Sequence, residues 1–316
     1  MRRIVWMVGS VLWALSMEAW AAPETPEAQA IAAYNAKQYA RCAELFLSIA
    51  EKKQGEAAAD PLYSVACCHA LDGKSDKAFA LLDRSVAAGL RNRDHVEVDT
   101  DLVSLHADPR WPRMLAAMQA RIDAWEKTLG DAALRRELLA MVKEDQRLRF
   151  ALIKSQFKDQ ALQKQLAETD RKNTARVKEI VAARGWPGKS LVARDGAHAA
   201  WLLVQHADHD VAFQKLCLGK LEPLVKTGEV EAKDYAYLVD RVAVAEKRKQ
   251  VYGTQFDERR EPRPIEDEAH VDERRKAVGL PPLAEYKQDM LRMYGPPAPA
   301  APATATPATS TKAPAK

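Results

Sequence analysis

The tightest constraint on the fold lies between Asp131 and Gln214, where polar residues interrupt apolar stripes of helical spacing. Asp131 is a helix-capping residue, and after it Leu134, Leu138, Met141, Asp145, Leu148 and Leu152 recur in steps that place them on one helical face. Asp145 sets a carboxylate in that stripe. The next helix has an apolar face of Leu162, Leu166, Val177 and Ile180, with Asp170 and Asn173 on or beside it, and Gly185-Trp186-Pro187-Gly188 stops it. A third helix, roughly Gly196 to Leu218, is expected to carry the stretch His198–Gln214, which holds three of the seven histidines. On a continuous helix Leu203, His206, Asp210, Phe213 and Cys217 share one side, so His206 and Asp210 become i,i+4 neighbours. Polar groups on apolar faces are costly unless they meet a partner, so these are expected to converge.

A fourth helix, Asp234 to Lys247, places Tyr237 and Arg241 four residues apart, and a turn centred on Gly253 follows within Gln250–Phe256. Glu261-Pro262-Arg263-Pro264 must be extended, because each proline restricts the residue before it, and a helix from Glu268 to Ala277 ends at Val278–Pro282. Two readings of the polar set follow. In the first, Asp145, Asn173, His206, Asp210, Arg241 and Gln255 line one pocket, with Gln205 and Tyr252 as further binding candidates. There His206 is a general base or metal ligand, Asp145 or Asp210 orients it, and Arg241 holds an anion. In the second, the same groups form an internal network that fixes how the helices cross. His206 and Asp210 come near to helical metal-ligand spacing, but the chain lacks a complete H-E-x-x-H or a facial triad, so no metal is expected. No phosphate-binding glycine loop, no Gly-x-Ser-x-Gly elbow and no cysteine with a base nearby in sequence is present, and no cofactor is predicted.

Ahead of this region the pattern is of paired short helices: Ala28–Ala36 with Tyr39–Lys52, then Leu62–Leu71 with Ser75–Ala88. Small and large residues alternate in the second helix of each pair, as in Tyr39-x-x-Cys42-x-x-x-Phe46 and Ser75-x-x-Ala78-x-x-x-Leu82, which lets paired helices interlock. The stretch Ala66–Phe79 resembles a tetratricopeptide repeat. Gly89–Asn92, Val98–Leu102 and Leu105–Trp111 resemble the segment that closes many short bacterial arrays of that kind. The resemblance implies a protein or peptide partner held along a concave face. Cys42 lies one helix before the adjacent Cys67 and Cys68, so a bridge to either is geometrically possible. The four cysteines, Cys217 included, are read here as small buried packing residues.

The ends carry different information. Arg2 and Arg3, the apolar run Ile4–Leu15 and the box Ala19-Trp20-Ala21 predict a signal peptide over 1–21, hence export to the periplasm or beyond, with no membrane span left after cleavage. A net charge of only +4 without a clustered basic face argues against a nucleic-acid partner. The tail, 296–316, is built from Pro, Ala, Thr, Ser and Lys and cannot bury a core of its own. The sequence thus predicts an all-α protein with a repeat-like domain over 26–130 and a helical domain over 131–295. This second domain resembles a bacterial family of unknown function often found on exported proteins. The resemblance rests on Asp145-Gln146-x-x-Arg149, Asp170-x-x-Asn173, Gly185-Trp186-Pro187, Trp201-x-x-x-Gln205-His206-Ala207-Asp208 with Phe213-Gln214, Asp240-Arg241, Gln250-x-Tyr252-Gly253-Thr254-Gln255 and Pro264-Ile265-Glu266-Asp267. It brings no activity with it. Two functions stay open: a binding or scaffolding protein of the cell envelope, or a hydrolase built around His206 and its carboxylate neighbours.

Overall fold

The computed structural model describes residues 25–294, so the expected leader and tail lie outside the described residues. The protein is all-α, 74% helical, with no strand among the described residues. The chain divides into two compact units between Glu126 and Lys127.

In the first unit, α1 (Pro26–Asn35) pairs with α2 (Tyr39–Ala50), and α3 (Ala59–Leu71) pairs with α4 (Ser75–Ala88). Ala30, Cys42, Ala66 and Ala78 are fully buried, small residues that let the backbones approach closely. α4 stops at Gly89, whose φ of 123° lies where L side chains are strained and whose N–H returns to the Ser85 carbonyl. α5 (Arg93–Val98), a 3-10 turn over Thr100–Leu105 and α6 (Arg110–Glu126) complete the unit. Cys42 is bonded to Cys68 across α2 and α3, while Cys67 and Cys217 are free and buried. Two of the four cysteines expected only to pack are therefore a covalent tie. Successive residues of a helix point about 100° apart, and so Cys68 meets α2 while Cys67 lies 3.9 Å from an oxygen of Asp99.

The tyrosines on α1 and α3 decide what covers that side of the hairpins. Tyr34 donates to both oxygens of Asp101 at 2.9 Å, and Tyr63 donates to Asp99 at 2.5 Å. Between and beside these bonds Val96, Leu102 and Leu105 are fully buried. The chain's own closing segment therefore occupies the face of α1 and α3 that carries the tyrosines.

The second unit opens with the long hairpin of α7 (Ala132–Lys154) and α8 (Gln160–Arg184), followed by α9 (Lys189–Gln205), α10 (Val211–Lys226) and α11 (Ala232–Ala245). Asp131, Asp159 and Asp210 cap α7, α8 and α10, each carboxylate accepting a backbone N–H three residues on. A single core gathers Leu138, Ile180, Trp201, Leu203, Phe213, Leu221 and Leu238 from all five helices. Beyond Ala245 the chain runs extended, tied by isolated bridges at Gln250–Ile265 and Phe256–Pro262, into α12 (Val271–Ala277) and α13 (Leu283–Tyr294). α12 ends at Ala277 as expected, and the paired prolines after it also stand just before the first turn of α13, a helix not foreseen.

The expected single helix from Gly196 to Leu218 is two helices joined by a turn at His206–Asp210. Asp210 caps the second by accepting the Phe213 N–H at 3.0 Å, and the buried Gln214 amide donates to the carbonyls of Val204 and Gln205 at the end of the first. Both ends are thus satisfied by side chains, and the helical register linking His206 to Asp210 is broken.

Candidate functional site

α7, α8 and the end of α9 meet at a layer of polar groups. On α7, Asp145 is fully buried and Arg149 stands one turn later. Asp170 faces them from α8, and His206 sits immediately after α9. Arg149 spans the two acids: its Nη2 donates to Asp145 at 3.0 Å and to Asp170 at 2.6 Å, and its Nε lies 3.1 and 3.2 Å from the oxygens of Asp145. Gln146 donates a further bond to Asp145 at 2.7 Å.

His206 Nδ1 lies 3.0 Å from an Asp145 oxygen and equally 3.0 Å from Arg149 Nε. A bare Nδ1 would set its lone pair against the carboxylate. The N–H of Arg149 already has acceptors in Asp145, so the network is satisfied when Nδ1 carries a proton and donates it to Asp145. Nε2 is then the nitrogen left for other chemistry, on a side chain that keeps 14% of its surface exposed.

The two carboxylates respond in opposite directions. Burial pushes Asp145 up, but bonds from His206 and Arg149 outweigh it and hold the carboxyl at about 2. Burial raises Asp170, and the single Arg149 guanidinium, opposed by the nearby Asp145 charge, does not bring it back. Asn173 Nδ2 and Gln205 Oε1, both buried on the adjoining turns of α8 and α9, have no hydrogen-bond partner among the described residues.

This layer divides apolar packing in the α7–α8 hairpin. Leu138 and Val177 belong to the main core, whereas Leu148, Leu152 and Leu166 form a separate small cluster on the far side. An ion-paired layer fixes the register of two helices, since a slip of one turn would strand Asp145 and Arg149 against leucines.

The remaining predicted site residues go elsewhere. Asp210 pairs with Lys178. Arg241 forms a two-pronged pair with Asp208, both bonds at 2.5 Å, against the turn that follows His206. Tyr252 and Gln255 lie in a loop organised by Asp240, a fully buried acid that accepts the backbone N–H groups of Val251, Tyr252 and Thr254 and the Thr254 hydroxyl. Gln255 receives its own support from the buried Gln250, whose Oε1 accepts the Gln255 N–H at 2.8 Å while its Nε2 donates to the carbonyls of Gln255 and Arg263. A Cβ on Gly253 would approach Ile265 Cδ1 to 2.9 Å, so this loop also requires glycine for closeness. Arg275, fully buried, donates to the carbonyls of Tyr252 and Pro281. The expected single pocket is therefore two separate constructions: an ion-paired layer and a carboxylate-centred loop. Arg149, Asp208 and Lys178 were not among the candidates; Arg149 was open to detection as the i+4 partner of a buried acid.

No group of three or more His, Cys, Asp or Glu side chains among the described residues is placed to hold a metal ion. Chemically, the layer is a charged clasp with one partly exposed imidazole, on an all-α scaffold with no built metal centre among the described residues. Residues 132–296 match a family of unknown function (DUF6624), more than half of the chain, and the protein belongs to that family. No curated protein and no solved structure matches the chain.

Proposed function

We propose that the protein is a polypeptide-binding or scaffolding protein of the cell envelope, its first unit being a short tetratricopeptide-like array that supplies the contact surface. The observation that carries this reading is a groove of about 600 Å3 between α5 and α6, lined by Pro112, Leu115, Ala116 and Ala120 and rimmed by Arg93, Glu97, Gln119 and Asp123. The small residues Pro112, Ala116 and Ala120 recur every four positions along α6, which gives an apolar floor with room for a partner's side chains. The rim is organised by Arg93, which donates to Glu97 at 2.7 Å and to Gln119 at 3.2 Å. Because the tyrosine face of α1 and α3 is filled by the closing segment, the groove rather than that face is offered to a partner. Export rests on the leader expected over 1–21.

The polar layer supports the same reading. Asp145 is buried and fully engaged, and the groove is lined by none of Asp145, Arg149, Asp170 or His206. One observation favours a hydrolase instead: the His206 side chain keeps 14% of its surface exposed while its Nδ1 faces Asp145.

Site-specific photo-crosslinking in the intact envelope tests the proposal. A crosslinker at Ala116 or Ala120 is expected to give a discrete polypeptide adduct, and one at the exposed Arg84 of α4 none. Adducts independent of position would overturn it. Turnover of activated esters that vanishes in His206→Gln would favour the hydrolase.

A further inference from the structure

Past the polar layer the α7–α8 hairpin continues as a two-helix arm. α9 ends at Gln205, and beyond it the arm has only its own small cluster of Leu148, Leu152 and Leu166, with Leu162 packed against them. From Phe150 to Gln165 the single buried side chain is Leu152. Phe150 and Phe157, 66% and 53% exposed, are the phenylalanines that the described residues leave open to solvent, and both lie at the end of this arm.

The turn that presents Phe157 is fixed. Gln156 and Phe157 have φ of 53° and 61°, a left-handed backbone that a bulky side chain rarely adopts. It is held by the N–H of Gln156 on the Ile153 carbonyl, the N–H of Phe157 on the Leu152 carbonyl, and the Gln163 side chain on the carbonyl of Phe157. These bonds hold in place the left-handed turn that carries the exposed Phe157 ring.

Lysines outnumber acids at the tip. Lys154 and Lys158 pair with no carboxylate among the described residues, and Lys158 donates instead to the Gln156 side chain at 3.0 Å. The nearest acid, Asp159, is turned to the N-terminus of α8, where it accepts the Leu162 N–H. Two aromatic rings flanked by two ammonium groups fit the boundary between lipid acyl chains and anionic headgroups.

We propose that the arm is a membrane-contact element, with Phe150 and Phe157 entering an anionic lipid surface and Lys154 and Lys158 meeting its phosphates. Binding through so small a tip is reversible and weakens as salt screens the lysines.

Co-sedimentation of the full chain with vesicles tests this, using phosphatidylcholine alone and an equimolar mixture with phosphatidylglycerol. The wild type is expected to pellet with the mixed vesicles and much less with the neutral ones. Phe150→Gln combined with Phe157→Asn should lower partitioning about tenfold or more. Asparagine tolerates the left-handed backbone, so this variant should melt no lower than wild type, which separates lost contact from lost folding. Lys154→Glu with Lys158→Glu should remove the preference for anionic vesicles. A wild type that stays in the supernatant with mixed vesicles, or a phenylalanine variant that pellets equally well, overturns the proposal. So does retention on polyglutamate, lost in the lysine variant, without any vesicle binding, since the partner is then an acidic protein.

Discussion

In the first unit, buried polar contacts run from neutral phenols to carboxylates: Tyr34 to Asp101 and Tyr63 to Asp99, with a disulfide between α2 and α3 close by. In the DUF6624 domain the same task falls to the Arg149 guanidinium, which closes on Asp145 and Asp170, with His206 Nδ1 against Asp145. A phenol must keep its proton to donate, so the first arrangement fails in alkali. Asp145, held low by its partners, must lose its proton to accept from them, so its share of the second arrangement fails in acid. The two units are therefore built with opposite chemical weaknesses, and segment-resolved hydrogen exchange on the full chain can read each one separately.

The largest contrast should come from Asp145→Asn. Removing one partner of a buried ion pair costs about 3–5 kcal/mol, and protection should fall along α7, α8 and α9 while α3 and α4 keep theirs. Equal losses in both units would break the comparison.

Reduction of the Cys42–Cys68 bridge, or Cys42→Ser, should act in the reverse sense. Opening a loop that spans 26 positions costs about 3.5 kcal/mol in the chain-entropy account, all of it in the hairpin unit. Urea unfolding with and without reductant, followed by exchange, measures it.

The pH dependence sharpens the contrast further. Asp145 is held at about 2 against an ordinary 3.8, so its contribution is full above about pH 4 and disappears as the pH falls toward 2. That loss is worth about 2 kcal/mol. Tyr34 moves the other way: its bond to Asp101, aided by burial, raises the phenol from 10 to about 12. Stability from that proton is present below pH 10 and lost between 10 and 12. Acid should therefore loosen the DUF6624 domain first and alkali the hairpins first, as exchange rates across the two ranges will show.

Tyr63→Phe should have the smallest effect. It removes the shortest contact of an Asp99 oxygen that keeps the Cys67 thiol and the His95 ring nearby, at a cost of about 1 kcal/mol confined to α3 and the segment 93–105. An effect in α7–α9 would contradict the separation of the units.

Much of the fold was legible because local rules decided it. Asp131 capped α7 as predicted, Ser75–Ala88 formed α4 over its whole expected length, and Gly89 ended it in a left-handed turn. The convergence of Asp145 with His206 was legible too, since neither could be buried alone. The lost part depended on one local contest. Asp210 was read as a helix-interior residue facing His206, yet its short side chain satisfies the first amides of α10 more cheaply than an extra turn would, so the chain breaks there. Arg241, Tyr252 and Gln255 were read as pocket residues because they are polar in apolar surroundings. Their partners, Asp208, Asp240 and Gln250, lie across turns whose geometry no helical period describes.

The central claim is that the Asp145–Arg149–Asp170–His206 layer is a structural clasp, and hydrogen exchange on His206→Gln tests it most directly. The account predicts faster exchange along α7, α8 and α9, with the Ala116 crosslink in the first unit unchanged. Unchanged exchange in that variant, together with loss of a chemical activity that the wild type possesses, would show instead that the imidazole serves a reaction.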